Sequence, residues 1–144
     1  MPLADAAVIE KIVLLLGGAL LGWLLQQYRV ARSEDVALLN EHIKDIEKFV
    51  ESAQTYWLTA PETAEKDRTL AAKVRAAHAA TSLAYPKIKT ICGSRGDLYR
   101  HLSIDLFDHA TGQNFEGKDR SFDPERAIDL HLAGAKLIHE LRLS

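Results

Sequence analysis

The sequence predicts an all-α protein in which an N-terminal transmembrane helix continues into a cytosolic antiparallel helical bundle of about four helices. Three observations lead to this class. An uncharged apolar run sits at one end of the chain, from Ile12 to Leu25. Beyond it, apolar residues recur at alternating spacings of three and four, the period of a helix and not of a strand. Pro61, Pro86 and Pro124, with glycines at 93, 96, 112 and 117, then fall where helices would begin or stop.

Composition narrows the function classes. The 144 residues leave room for one small domain and an appendage. Eighteen Lys and Arg against twenty Asp and Glu give a net charge of -2, which supplies no basic field for nucleic acid. The single cysteine, Cys92, can form neither an internal disulfide nor a multi-cysteine zinc site, and fits a reducing cytosol.

The uncharged run is fourteen residues long from Ile12 to Leu25, and seventeen when Gln26, Gln27 and Tyr28 are included. A bilayer core needs about 20 helical residues. A span therefore draws on Ala6 to Ile9, with Glu10 and Lys11 near one boundary, where Lys11 can snorkel and Glu10 can pair with it or be protonated. Trp23 and Tyr28 lie toward the other boundary, where amphipathic rings are favoured. A cleaved signal peptide and a buried core helix are the competing readings. The first calls for a basic start and an Ala-x-Ala site, whereas the chain begins Met-Pro-Leu-Ala-Asp. The second is favoured by the shortness of the run. The expectation is an anchor over residues 1–32, with the span at about 6–28, and a cytosolic helical bundle over 33–144. Arg29 and Arg32 follow the span closely and only Lys11 precedes it, so the positive-inside rule places the C-terminal portion in the cytoplasm.

Gly18-Ala-Leu-Leu-Gly22 is a GxxxG pattern, a spacing that lets two helix backbones approach closely in lipid. The next segment, Ser33 to Leu58, holds neither Pro nor Gly; Ser33-Glu34-Asp35 suits the start of a new cytosolic helix, and a helix running on unbroken from the membrane is the alternative. Its apolar seam is Val36, Leu39, Ile43, Ile46, Val50, Ala53 and Trp57, three heptads in register. Extended backwards, the same register passes through Leu25, Gly22, Gly18 and Leu15. One face carries both patterns, which points to parallel self-association. Leu38, Phe49 and Tyr56 widen the stripe as they would on a helix packed against its own neighbours, and both roles can coexist.

Thr59-Ala60-Pro61-Glu62 ends that helix and starts a second one reaching about Tyr85, with Leu70, Val74, Ala77 and Thr81 on its stripe. Pro86 is expected to stop or kink it. Lys87 to Cys92 alternates like a strand but lacks a partner strand, and reads as a helical turn or tail. Gly93 to Gly96 is a loop. A further helix covers about Asp97 to Ala110, with Leu98, Leu102, Leu106 and Phe107 inward. Thr111 to Phe122 is a polar connection. Asp123-Pro124-Glu125 opens the last helix with an N-cap, a first-turn proline and an acidic residue suited to the helix dipole. That helix reaches about Leu143 and buries Ala127, Leu130, Leu137 and Leu141.

Residues that carry chemistry are sparse. The chain holds no phosphate loop, GxGxxG, GxSxG, HExxH or paired CxxC. His101, Asp105 and His109 recur every fourth residue, but successive steps drift by about 40° around a helix, so the three read as a solvated face and no metal or cofactor is expected. Cys92 reads as a small buried or half-buried residue.

Arg126-Ala-Ile-Asp-Leu-His131 and Arg95-Gly-Asp-Leu-Tyr-Arg-His101 resemble the Arg-x(4 to 6)-His pair of HEPN ribonucleases. That resemblance implies RNA cleavage, with Arg126 stabilising phosphate charge and His131 transferring a proton. The residue after the arginine, polar in that family, is here Ala127 or Gly96. A second resemblance is organisational. Glu51 to Leu58, the turn Thr111-Gly-Gln-Asn-Phe-Glu116, and Asp123-Pro-Glu-Arg126 opening a terminal helix are similar to small uncharacterised bacterial proteins with one N-terminal span and a cytosolic helical bundle. Some of these are membrane effectors in anti-phage operons, which implies oligomerisation and membrane perturbation.

The leading expectation is thus a single-pass protein of the bacterial inner membrane that needs no catalytic residue. It self-associates through Gly18, Gly22 and the Val36 to Trp57 seam, docks a protein partner, and acts as a defence or toxic effector. The HEPN-like nuclease is the alternative.

Overall fold

A computed structural model describes residues 2–144, with side chains from residue 5 onward; Met1, where the expected anchor begins, lies outside the described residues. The chain is helical, with no strand among the described residues. Helix α1 spans Pro2–Leu58, α2 spans Ala64–Cys92, α3 spans Gly96–Thr111 and α4 spans Pro124–Arg142, with a single 3-10 turn at Gly93–Arg95. The chain divides into two compact units, residues 1–37 and 38–144.

In the first unit α1 carries the apolar run. Gly17, Gly18 and Gly22 do not interrupt the helix. This is one helix long and apolar enough to cross a membrane, and none of its apolar window is covered by the rest of the chain.

The second unit holds the core. Helix α1 contributes Ile46, Ala53, Tyr56 and Trp57, α2 contributes Val74 and Ile88, α3 contributes Tyr99, Leu106 and Ala110, and α4 contributes Leu130, Leu137 and Leu141, all essentially inaccessible to solvent. Helix α3 packs on α4 and on α2. The C-terminal part of α1 is tied to α3 by Trp57 Nε1 donating to Ala110 O at 2.9 Å, and to the start of α4 by Gln54 Nε2 donating to Ala127 O at 3.0 Å. Gly134 on α4 allows close approach to α1: a Cβ there would lie 2.7 Å from Val50 Cγ2.

Local chemistry explains most helix ends. Thr63 caps α2, its hydroxyl accepting from Lys66 N at 3.2 Å, while Glu65 and Asp67 oppose the dipole in the first turn. Gly93, at φ +57°, closes α2 in a backbone conformation that side chains disfavour, its N–H donating to Thr90 O. Asp123 Oδ1 caps α4 by accepting from Arg126 N at 3.0 Å, ahead of Pro124 in the first turn.

Two details differ from expectation. Pro86 does not end α2, which continues through it to Cys92, so Lys87 to Cys92 is helical as expected but part of α2 and not a separate tail. Proline removes one helical hydrogen bond, but Ile88 and Cys92 beyond it are buried in the core, and that burial holds the last turns helical. The connection from 112 to 123, expected as a plain polar loop, is fastened to the end of α1. Arg120 is buried, and its Nη1 donates to Tyr56 O at 2.7 Å and Thr59 O at 2.9 Å. Its Nη2 pairs with Asp67, and its guanidinium lies 4.3 Å from the centre of the Tyr56 ring. Glu116 N donates to Tyr56 Oη at 2.8 Å and Asp123 N to Trp57 O at 2.9 Å. The loop thereby satisfies carbonyls that any helix leaves open at its C-terminus.

Candidate functional site

Two regions have functional potential: the uncovered apolar run in the first unit, and a cavity in the second.

From Val8 to Val30 the described residues include fourteen large apolar or aromatic side chains that stay exposed, Leu15 the most at 73%. Gly18 and Gly22 have open space where a Cβ would stand. Val36 is also exposed, at 43%. The rest of the expected self-association seam is placed differently. Leu39, Ile43, Ile46, Val50, Ala53 and Trp57 are all buried within the second unit, packed against residues of the same chain. Periodicity alone cannot distinguish a stripe facing a second copy from one facing its own neighbours, and here the intramolecular neighbours occupy it. Those six side chains belong to the chain's own core in this fold.

The expected catalytic pair is divided in role. Arg126 is held at the end of α3: its Nε donates to His109 O at 2.8 Å, its Nη2 donates to Gly112 O, and its guanidinium stacks 3.9 Å from the centre of the Trp57 ring. Burial pulls its pKa below the usual arginine value. A cation whose donors cap carbonyls and whose face covers an indole serves the fold. His131 is exposed on α4. Of the other pair, Arg95 forms an ion pair with buried Glu140, while His101 is exposed. His109 Nε2 lies 3.6 Å from Asp105 Oδ1. Among the described residues, no group of three or more His, Cys, Asp and Glu is arranged to hold a metal ion.

The cavity was not foreseen. It holds about 190 Å³ between α1, α2, α3 and α4 and opens to solvent on the side of Ser82. At its side, His42 Nε2 and Tyr99 Oη meet at 2.8 Å, both residues buried and 57 positions apart in the chain. Burial lowers the His42 pKa, against a smaller opposing pull from Asp45, and burial raises that of Tyr99. The pair is therefore a neutral imidazole and a protonated phenol near pH 7, joined by one hydrogen bond between Nε2 and Oη. His42 Nδ1 is buried without a hydrogen-bond partner. Aromatic rings surround the pair: Tyr85 stacks on Tyr99 with centroids 5.3 Å apart, and His78 sits 5.5 Å from Phe49. Burial also lowers the His78 pKa. A signal for this site exists in the sequence, because His42 falls between Leu39 and Ile46 at helical spacing and so had to share their inward face.

Comparison with protein-family profiles, curated proteins and solved structures returns no match.

Proposed function

We propose that this chain is a single-pass protein of the bacterial inner membrane that self-associates through its span and presents a cytoplasmic helical bundle to a protein partner. The carrying observation is the uncovered run from Val8 to Val30. Covering a Leu, Ile or Val side chain stabilises by about 1.5–3 kcal/mol each, so fourteen left in water forgo tens of kcal/mol, more than the ~5–15 kcal/mol net stability of a typical domain. A core helix of a soluble protein would find that cover within its own chain. The lack of cover supports lipid as the surrounding medium, and continuity of α1 past Tyr28 into the core of the second unit supports a retained anchor over a cleaved leader. Arg29 and Arg32 at the inner end favour a cytoplasmic second unit.

With the seam beyond Val36 occupied intramolecularly, self-association is assigned to the Leu15, Gly18, Gly22 and Leu25 face, where small residues let two backbones approach. The role as a defence or toxic effector is supported only by the resemblance to bacterial proteins of the same plan.

Extraction of membranes with alkaline carbonate tests the anchor: the chain is expected in the pellet, and recovery in the supernatant overturns the reading. Light scattering in detergent tests assembly. Gly18→Ile with Gly22→Ile is expected to reduce the mass to that of one chain, whereas a wild type already monomeric removes self-association from the proposal.

A further inference from the structure

The cavity beside His42 and Tyr99 is a site that the membrane reading neither uses nor requires. Its lining contains no Asp, Glu, Lys or Arg. A charged ligand would give up part of its hydration with no counter-charge to replace it, which disfavours anions and cations relative to a neutral ligand. Five rings approach it: His42, Phe49, His78, Tyr85 and Tyr99. A dry cavity of about 150 Å³ takes up benzene, so 190 Å³ has room for a substituted six-membered ring or a fused bicycle.

The polar groups in the lining set the ligand's hydrogen-bonding character. Thr81 Oγ1 donates to His78 O at 2.7 Å, and Ser103 Oγ donates to Tyr99 O at 2.8 Å. Each hydroxyl has given its only hydrogen to its own helix, and what it has left is an oxygen lone pair. These two hydroxyls offer acceptors to a ligand's donor, beside His42 Nδ1, the unpartnered polar atom of the lining.

We propose that this cavity binds a small neutral aromatic molecule carrying one O–H or N–H donor, of the phenol or indole class, which donates to Thr81 or Ser103 while the surrounding rings pack on its faces. Ligand binding at this place joins α1, α2, α3 and α4 around one molecule and stabilises the helical unit by mass action.

The test is a titration of the full chain in detergent micelles, carbon-13 labelled at Ile and Leu methyls, with phenol, indole and anisole. Saturable shifts are expected at Ile46, Leu106 and Leu137, which line the cavity. Partition into the micelle shifts only methyls of the span, such as Leu14 to Leu25, without saturation. Anisole, which lacks the donor, is expected to bind at least about fivefold more weakly than phenol, the equivalent of one ordinary hydrogen bond. Thr81→Val combined with Ser103→Ala is expected to weaken phenol roughly 10-fold while helicity is retained. Shifts confined to the span, anisole binding as tightly as phenol, or the double variant binding phenol as tightly as wild type each overturn the proposal.

Discussion

His42 on α1 and Tyr99 on α3 form a buried imidazole–phenol hydrogen bond of 2.8 Å that joins two helices distant in sequence. Tyr99→Phe keeps the ring and leaves His42 Nε2 without its partner. A buried polar atom so orphaned costs about 1–3 kcal/mol. Chemical unfolding of the variant, followed by circular dichroism, is expected to show a loss of that size. A loss under about 0.5 kcal/mol would show that water replaces the phenol.

The same burial sets the response to acid. The pKa values of His42 and His78 lie below 6.5 in the folded chain, chiefly through desolvation, with Asp45 opposing the shift at His42. The unfolded chain then binds more protons than the folded one as pH drops through 6.5, so this stability is fully present above that value and declines below it. The denaturant midpoint is expected to be lower at pH 5.5 than at pH 7.5. His42→Phe, which carries no titrating ring, should flatten the dependence.

Gly134 controls how closely α4 sits on α1. Gly134→Ala would place its Cβ 2.7 Å from Val50 Cγ2, well inside van der Waals contact. Overpacking of this kind costs about 1–3 kcal/mol. Adding Val50→Ala makes room for the new methyl, and the double variant is expected to recover part of the loss when thermal midpoints are compared. Equal additive losses would rule out the contact as the cause.

Arg120 and Arg126 fasten helix ends, and both are more sensitive than their polarity suggests. Arg120→Met removes two bonds to the end of α1 and leaves Asp67 without its cation, a change expected to cost about 3–5 kcal/mol. Urea denaturation measures it. Arg126→Ala uncaps His109 O and Gly112 O and uncovers Trp57, with an expected loss of about 1–3 kcal/mol. His131→Ala, at an exposed position, should stay within about 0.5 kcal/mol of wild type. A large effect at His131 would indicate a contact beyond the fold itself.

The sequence by itself determined the helical class, the apolar N-terminal helix and most helix starts. These depend on neighbours a few residues apart: an uncharged run, a 3-4 spacing, and Asp123 as a cap ahead of Pro124. It could not determine which partner the Leu39 to Trp57 stripe covers, because the same period serves a second copy or the chain's own core. Tertiary packing decided that in favour of the core. It also carried α2 through Pro86, since burial of Ile88 and Cys92 outweighs one missing hydrogen bond. The cavity, the His42 to Tyr99 pair and the roles of Arg120 and Arg126 were decided there as well. The spacing of Leu39, His42 and Ile46 tells which face His42 takes but not what it meets, because each of these contacts joins residues far apart in the chain and its chemistry exists only once the helices have been brought together.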